Sequence, residues 1–189
     1  MMTPALERII LEIDALMEKK GSVIVAIDGR CGSGKTTLAA RLQEHYGCQV
    51  IPMDHFFLRP EQRTAQRLMI PGGNVDHERF QAEVLGPLTR GAPFSYRPFD
   101  CATMSLAMPV TVMPDGLVVV EGSYACHRAL WDLYDLRVFL TVDPREQIRR
   151  ITARNGAYAA VFCEKWIPLE ERYFANEDLE HRCDLCVST

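Results

Sequence analysis

No stretch of this chain is long and apolar enough to span a bilayer. The longest apolar runs, such as Leu117 to Val120 and Val138 to Val142, are strand-sized, far below the ~20 residues a membrane helix needs. An excess of basic residues is also missing: 21 Lys and Arg against 25 Asp and Glu leave a net charge of −4, which gives no electrostatic footprint for a nucleic-acid backbone. The first residues lack the basic, apolar and small-residue sections of a secretory leader. Thr3 to Lys20 instead spaces Leu6, Ile9, Ile10, Ile13, Leu16 and Met17 as an amphipathic helix. Internal repeats and low-complexity segments are absent, and the five histidines show no metal-ligand spacing. The seven cysteines (31, 48, 101, 126, 163, 183, 186) are an odd, scattered set, which suits reduced thiols better than a disulfide framework. Cys183 and Cys186 lack the second pair or the histidines a zinc site needs. These absences lead to the expectation of a cytoplasmic protein with neither membrane nor nucleic acid among its partners; a homo-oligomer is compatible with them.

What the chain does contain is a phosphate-binding loop. Gly29-Arg30-Cys31-Gly32-Ser33-Gly34-Lys35-Thr36 matches Gly, four residues, Gly, Lys, Ser or Thr in full. Its glycines let successive N–H groups turn inward into an anion nest, and the helix that follows points its positive end at the same spot. Nucleotide contacts are therefore expected at Gly29, Cys31, Gly32, Ser33, Gly34, Lys35, Thr36 and Thr37. Lys35 faces the outer phosphates, and the Thr36 hydroxyl is positioned for the Mg2+ that bridges them. The motif needs a strand before it and a helix after it, and Ser22 to Asp28 and Thr36 to Tyr46 have those patterns.

The rest of the chain alternates in the same way. Cys48 to Asp54 predicts a second strand, whose Pro52 points to an edge position or an early end. Asp76 to Arg90 predicts a helix capped by Asp76 and kinked or ended by Pro87. The proline-flanked segments Phe94 to Phe99 and Val110 to Met113 predict a small hairpin or arm. Leu117 to Val120 and Leu136 to Val142 read as buried strands, Arg145 to Arg154 and Ala157 to Asn176 as helices, and Asp184 to Ser188 as a last strand. The expected class is α/β, a P-loop NTPase fold with a parallel sheet flanked by helices. One domain over 1–189 is expected, with 76–115 as an acceptor-binding insertion and 145–176 as a helical lid and following helix.

Four strands end in acids, at Asp28, Asp54, Glu121 and Asp143, and ligands of an open parallel sheet bind beyond those ends. Asp143 before Pro144 reads as a helix cap and Asp28 as loop support. Glu121, directly after a buried strand, is the expected partner of Thr36 at the metal. Asp54 is placed to accept a proton from an acceptor hydroxyl and to touch the metal shell. Arg149, Arg150 and Arg154 offer cations for the migrating phosphoryl group, with Arg150 and Arg154 one turn apart on one helix face. Tyr96 and Phe99 are candidates to stack a base or a nicotinamide-like ring, while Phe56 and Phe57 read as core; Arg59 and Arg97 are candidates for a charged acceptor.

Through GSGKTTLA at 32–39, Met53-Asp54-His55-Phe56-Phe57, Asn74-Val75-Asp76-His77, Phe99-Asp100, Glu121-Gly122 and the arginines near 150, the chain resembles the uridine kinase branch of the phosphoribulokinase and uridine kinase group. The resemblance implies a five-stranded parallel core, ATP as donor with Mg2+, Asp54 as base, and Thr36 and Glu121 at the metal. It further implies Asp76 on the ribose hydroxyls of a nucleoside and Arg150 or Arg149 on the sugar side. Two stretches depart from the family's pattern. Pyrimidine-specific relatives follow a Tyr-Asp pair with an aromatic and a His, whereas here Phe99-Asp100 is followed by Cys101-Ala102-Thr103-Met104; and Arg154-Asn155-Gly156 stands where an Arg-Gly-Arg stretch is common. Uridine or cytidine leads as acceptor, with a sugar, a vitamin precursor or a nicotinamide riboside-like alcohol behind it. A regulatory ATPase or GTPase is the alternative of another class; the Asn-Lys-x-Asp segment that reads guanine does not occur.

Overall fold

The computed structural model describes residues 4–189, so the expected helix start at Thr3 lies outside the described residues. Five strands form one parallel sheet: β1 (Val23–Gly29), β2 (Gln49–Pro52), β7 (Leu117–Glu121), β8 (Leu136–Thr141) and β9 (Leu185–Ser188), in the order β2-β7-β1-β8-β9. β1 lies at the centre, with Val23 opposite Leu117 on one side and Val25 opposite Leu136 on the other. β2 pairs with β7 alone and stops at Pro52, which has no N–H to continue a ladder.

Because side chains alternate along a strand, each apolar strand feeds two cores. Val23, Val25, Ile27, Leu117, Val119, Leu136, Val138 and Leu140 face one layer, closed by Leu6, Ile9, Ile10 and Ile13 of helix α1 (Pro4–Lys20) and by Ala39 and Leu42 of α2 (Lys35–Tyr46). Ala26, Val118, Val120 and Phe139 face the other, closed by Phe80, Val84, Leu85, Tyr173 and Phe174. Burying one Val, Leu, Ile or Phe is worth ~1.5–3 kcal/mol, so a sheet covered on both faces holds its strand ends rigidly for whatever binds there.

The arm is two small antiparallel ladders. β3 (Phe94–Tyr96) pairs with β6 (Val110–Val112), and β4 (Phe99–Asp100) pairs with β5 (Ser105–Leu106). Asp76 caps the 77–89 helix by accepting from the Arg79 N–H at 3.1 Å, and Pro87 does not end it, since the chain stays helical to Thr89. Gln81–Leu85 instead widen into a π turn, closed by the Gly86 N–H on the Gln81 carbonyl. The extra residue relieves the proline ring's clash with the carbonyl four positions earlier. The 159–177 helix repeats the device, with a π turn at Phe162–Trp166 ahead of Pro168. All seven cysteines are free; Cys31, Cys48, Cys126 and Cys183 are buried, and Cys101, Cys163 and Cys186 are exposed. Among the described residues no helix is long and apolar enough to cross a membrane.

Candidate phosphoryl-transfer site

β1 delivers the loop at its carboxyl end. Gly29 has φ +139°, and a Cβ there would lie 2.0 Å from the Leu140 carbonyl oxygen, so this position needs glycine twice over. Asp28 beneath it is fully buried and accepts from the N–H groups of Gly29 (2.7 Å), Tyr124 (3.2 Å) and Cys126 (2.9 Å) and from the Tyr173 hydroxyl (2.9 Å). It clamps the loop to the 122–127 turn and the 159–177 helix, the supporting place expected of it. Burial outweighs these bonds and pushes its carboxyl up to about 6. Asp143 is the expected cap, accepting from the N–H groups of Arg145 and Glu146. α2 opens at Lys35 with no side-chain cap, which leaves its first N–H groups to an anion. The Lys35 ammonium crosses the loop, donating to the carbonyls of Gly29 (2.6 Å) and Arg30 (3.1 Å).

The ends of β2 and β7 bring the acids to the same place. Thr36 Oγ1 lies 3.3 Å from each carboxylate oxygen of Glu121. Gly122 lets the β2 end close in: a Cβ there would come within 3.0 Å of Met53 Cβ and 3.6 Å of Asp54 Oδ1. Desolvation raises the carboxyls of both Asp54 and Glu121, and for Glu121 the charge of Asp54 is the next cause. Asp54 is exposed to the cleft that Glu121 also lines. Two desolvated carboxylates, one raised further by the charge of the other, stand beside a hydroxyl and form an all-oxygen donor set that fits a hard divalent cation such as Mg2+.

A cleft of about 930 Å³ opens over these groups, within the range of small-molecule sites. Of the expected residues it gathers Cys31, Gly34, Lys35, Thr36, Thr37, Asp54, Glu121 and Arg154. Gly29, Gly32 and Ser33 belong to the loop without lining the cleft. Arg154 stacks over the Phe162 ring at 5.7 Å, and its charge is felt at Asp54.

The structure does not bring seven other candidates to the cleft. Arg149 is 70% exposed and paired with Glu146 at 2.6 Å. Arg150 is also paired with Glu146, at 2.7 Å, and its Nη1 reaches the Gly32 carbonyl and Thr189, so it braces the loop from outside. Asp76 is buried, accepting from Gln62 Nε2 at 2.7 Å as well as from its own helix. Tyr96 is buried against Phe56, with its hydroxyl 2.9 Å from His55 Nδ1. Phe99 is buried beneath the Arg63 guanidinium. Aromatic side chains in a hairpin bury more area by closing the arm onto the core than by standing in a wet cleft, so they pack inward. Arg59 pairs with Glu61, and Arg97 donates to the carbonyls of Leu106 and Ala107.

The cleft also contains residues that the sequence reading passed over. Glu170, 5% exposed, accepts from the Cys31 N–H (2.9 Å) and the Ser123 hydroxyl (2.6 Å), tying the lid-side helix to the phosphate loop. Arg63 and Asn74 line the opposite wall, and Tyr158, Phe162 and Trp166 form an aromatic side.

No protein-family model matches the chain. It is 26% identical over 158 residues to a uridine kinase of Geobacillus kaustophilus, covering 75% of this chain and 74% of that one. Among solved structures, a possible uridine kinase from Bacillus stearothermophilus superposes with a TM-score of 0.67 at 20% identity, over 95% of this chain and 98% of that one. A proposed fructose transport system kinase from Silicibacter gives 0.67 at 22% identity, over 99% and 100%. The chain therefore has the P-loop kinase fold, and uridine kinases are among its distant relatives.

Proposed function

We propose that a chain with this fold and these relatives is an ATP-dependent small-molecule kinase, uridine kinase-like in its donor half. The observation that carries the reading is Thr36 Oγ1 at 3.3 Å from both oxygens of Glu121, at the mouth of the phosphate loop and beside Asp54. ATP places its phosphates on the N–H groups of the loop and α2, with Lys35 leaving its carbonyl partners for them. Thr36, Glu121 and Asp54 would hold Mg2+, which when bound offsets charge on the phosphates.

An acceptor hydroxyl beside Asp54 gives its proton to that carboxylate as its oxygen bonds to the γ-phosphorus. The bond from the γ-phosphorus to the bridging oxygen breaks, and ADP leaves with the electron pair. Arg154 answers the charge on the moving group, and the Tyr158, Phe162 and Trp166 side keeps water from competing. The acceptor is a hydroxyl compound, with a nucleoside leading on the strength of the relatives. ADP release, followed with ATP and magnesium over a panel of nucleosides, sugars and vitamin precursors, tests the reading. Turnover that depends on an acceptor and collapses in Asp54→Asn supports it; ADP release indifferent to every acceptor sinks it in favour of an ATPase.

A further inference from the structure

Two hydrogen-bond donors on the acceptor wall have no use in the reaction as written above. Arg63 lines the cleft, and unlike Arg59, Arg67 and Arg79, which pair with Glu61, Glu78 and Glu83, it has no carboxylate within ion-pair distance among the described residues. Nor does it wave freely. Its Nε donates to the Leu58 carbonyl at 2.9 Å, its guanidinium sits over the Phe99 ring at 5.9 Å, and its remaining contact is the Cys101 thiol. A guanidinium held on one side and backed by a ring keeps its outer donors oriented without a further entropy cost.

Asn74 lines the same wall, and its Nδ2 is buried without a partner. It lies beside the Tyr124 hydroxyl but not in hydrogen-bond geometry. A buried amide N–H left unpaired costs ~1–3 kcal/mol, and a small turn of this cleft-lining side chain would relieve that cost by offering the N–H to a ligand acceptor. Leu58 joins the two: its N–H donates to the Asn74 carbonyl at 3.2 Å and its carbonyl accepts from Arg63. The two donors therefore flank one residue, two positions beyond the turn that carries Asp54.

Guanidinium and amide N–H groups together, with no acid paired to the guanidinium, recognise oxygen-rich negative charge. We propose that the phosphoryl acceptor is a hydroxyl compound that also carries an oxyanion, a carboxylate or a phosphate, and that Arg63 and the Asn74 amide seat that group while Asp54 faces the hydroxyl. The inference rests on the kinase reading and departs from it in one respect: a charged hydroxyl compound takes the place of the neutral nucleoside that the relatives suggest. It also accounts for the stretch Cys101 to Met104, which has no histidine to read a pyrimidine: the wall is built for a charge rather than a base edge.

The test compares three acceptor sets with ATP and magnesium: hydroxycarboxylates, sugar or nucleoside phosphates, and neutral nucleosides and sugars. Turnover is expected with one of the first two sets, and which one identifies the anion. Arg63→Gln should raise the acceptor KM about 10- to 100-fold, the size of a lost charge-assisted bond, while the KM for ATP and the melting temperature hold; Arg63→Lys should recover part of it. Asn74→Asp, which sets a like charge against the oxyanion, should raise the acceptor KM by a similar factor. Turnover confined to the neutral set, or an anionic acceptor whose KM is indifferent to both substitutions, overturns this inference and leaves the kinase standing. No acceptor-dependent turnover with any set overturns the kinase reading, and the inference falls with it.

Discussion

The two halves of the cleft are made of different material. The donor half is backbone: β1 and α2 shape the phosphate loop, Gly29 closes against Leu140, and Thr36 and Glu121 stand at the ends of elements locked between two cores. The acceptor half is side chains on short pieces, namely 3-10 turns at Met53–Phe56 and Pro60–Gln62, a five-residue helix at Ala65–Met69 and strands of two or three residues. A site built from backbone tolerates little change and keeps one ligand class. A site built from side chains on short elements can be rewritten without disturbing the sheet, which is where substrate choice is expected to reside.

The largest losses are expected from two single changes, one at Asp54 on the seam between the halves and one in the donor backbone. Asp54→Asn keeps the shape and removes the proposed base, with an expected fall in kcat of about 10²–10⁴-fold in the ADP-release assay. Gly29→Ala tests the backbone itself. A Cβ 2.0 Å from a carbonyl oxygen at φ +139° combines overpacking with strain, for an expected loss of ~3–5 kcal/mol in urea unfolding. A Gly29→Ala protein as stable as wild type would mean that the loop is no stiffer than the acceptor wall, and the contrast between the halves would go.

The same contrast governs how much could be read in advance. An eight-residue motif between an apolar run and a helix pattern specifies a backbone shape, and Val, Ile and Leu runs ending in Asp54 and Glu121 specify where a parallel sheet presents acids. Helix periodicity tells which residues share a face but not which face meets the cleft, so Arg149, Arg150 and Arg154 looked alike until their partners were seen. Tyr96 and Phe99 carry the same signal whether they stack a ligand or close a core. Glu170 had a usable signal: with Tyr173, Phe174 and Glu177 it marks positions i, i+3, i+4 and i+7 of one buried face, where an acid requires an explanation. Arg63 and Asn74 had none, because only the Leu58 backbone brings them together.

Two buried titrating groups extend the comparison to stability, one under each half. Asp28 supports the phosphate loop with its carboxyl raised from 3.8 to about 6, so its contribution is greatest at low pH and is lost as pH rises through that window, by about 3 kcal/mol. His127 stacks on His77 at 4.2 Å beside the loop that leads to Asn74, and burial lowers it from 6.5 to about 4. Its contribution is present above 6.5 and is lost as pH falls toward 4, by a similar amount. Between pH 4 and 6 the two slopes oppose each other. Asp28→Asn should leave a protein that loses stability on acidification more steeply than wild type, and His127→Gln one that does the reverse, read as urea midpoints at pH 4.2 and 6.2. Parallel shifts of both variants at the two pH values would remove the opposition.

The smallest expected effect separates three arginines that sequence spacing groups together. Arg154 lines the cleft and its charge reaches Asp54, so Arg154→Ala should lower kcat about 10-fold or more while leaving unfolding unchanged. Arg150→Ala removes a brace on the Gly32 carbonyl and should act on the KM for ATP before it acts on kcat. Arg149 touches only Glu146 on an exposed face, a pair worth ~0–1 kcal/mol, so Arg149→Ala should change neither kinetic constant by more than about two-fold. A large loss of kcat in Arg149→Ala would mean that the Pro144–Asn155 helix rotates during turnover to present a different face to the phosphates, and the donor half would then contain a moving part.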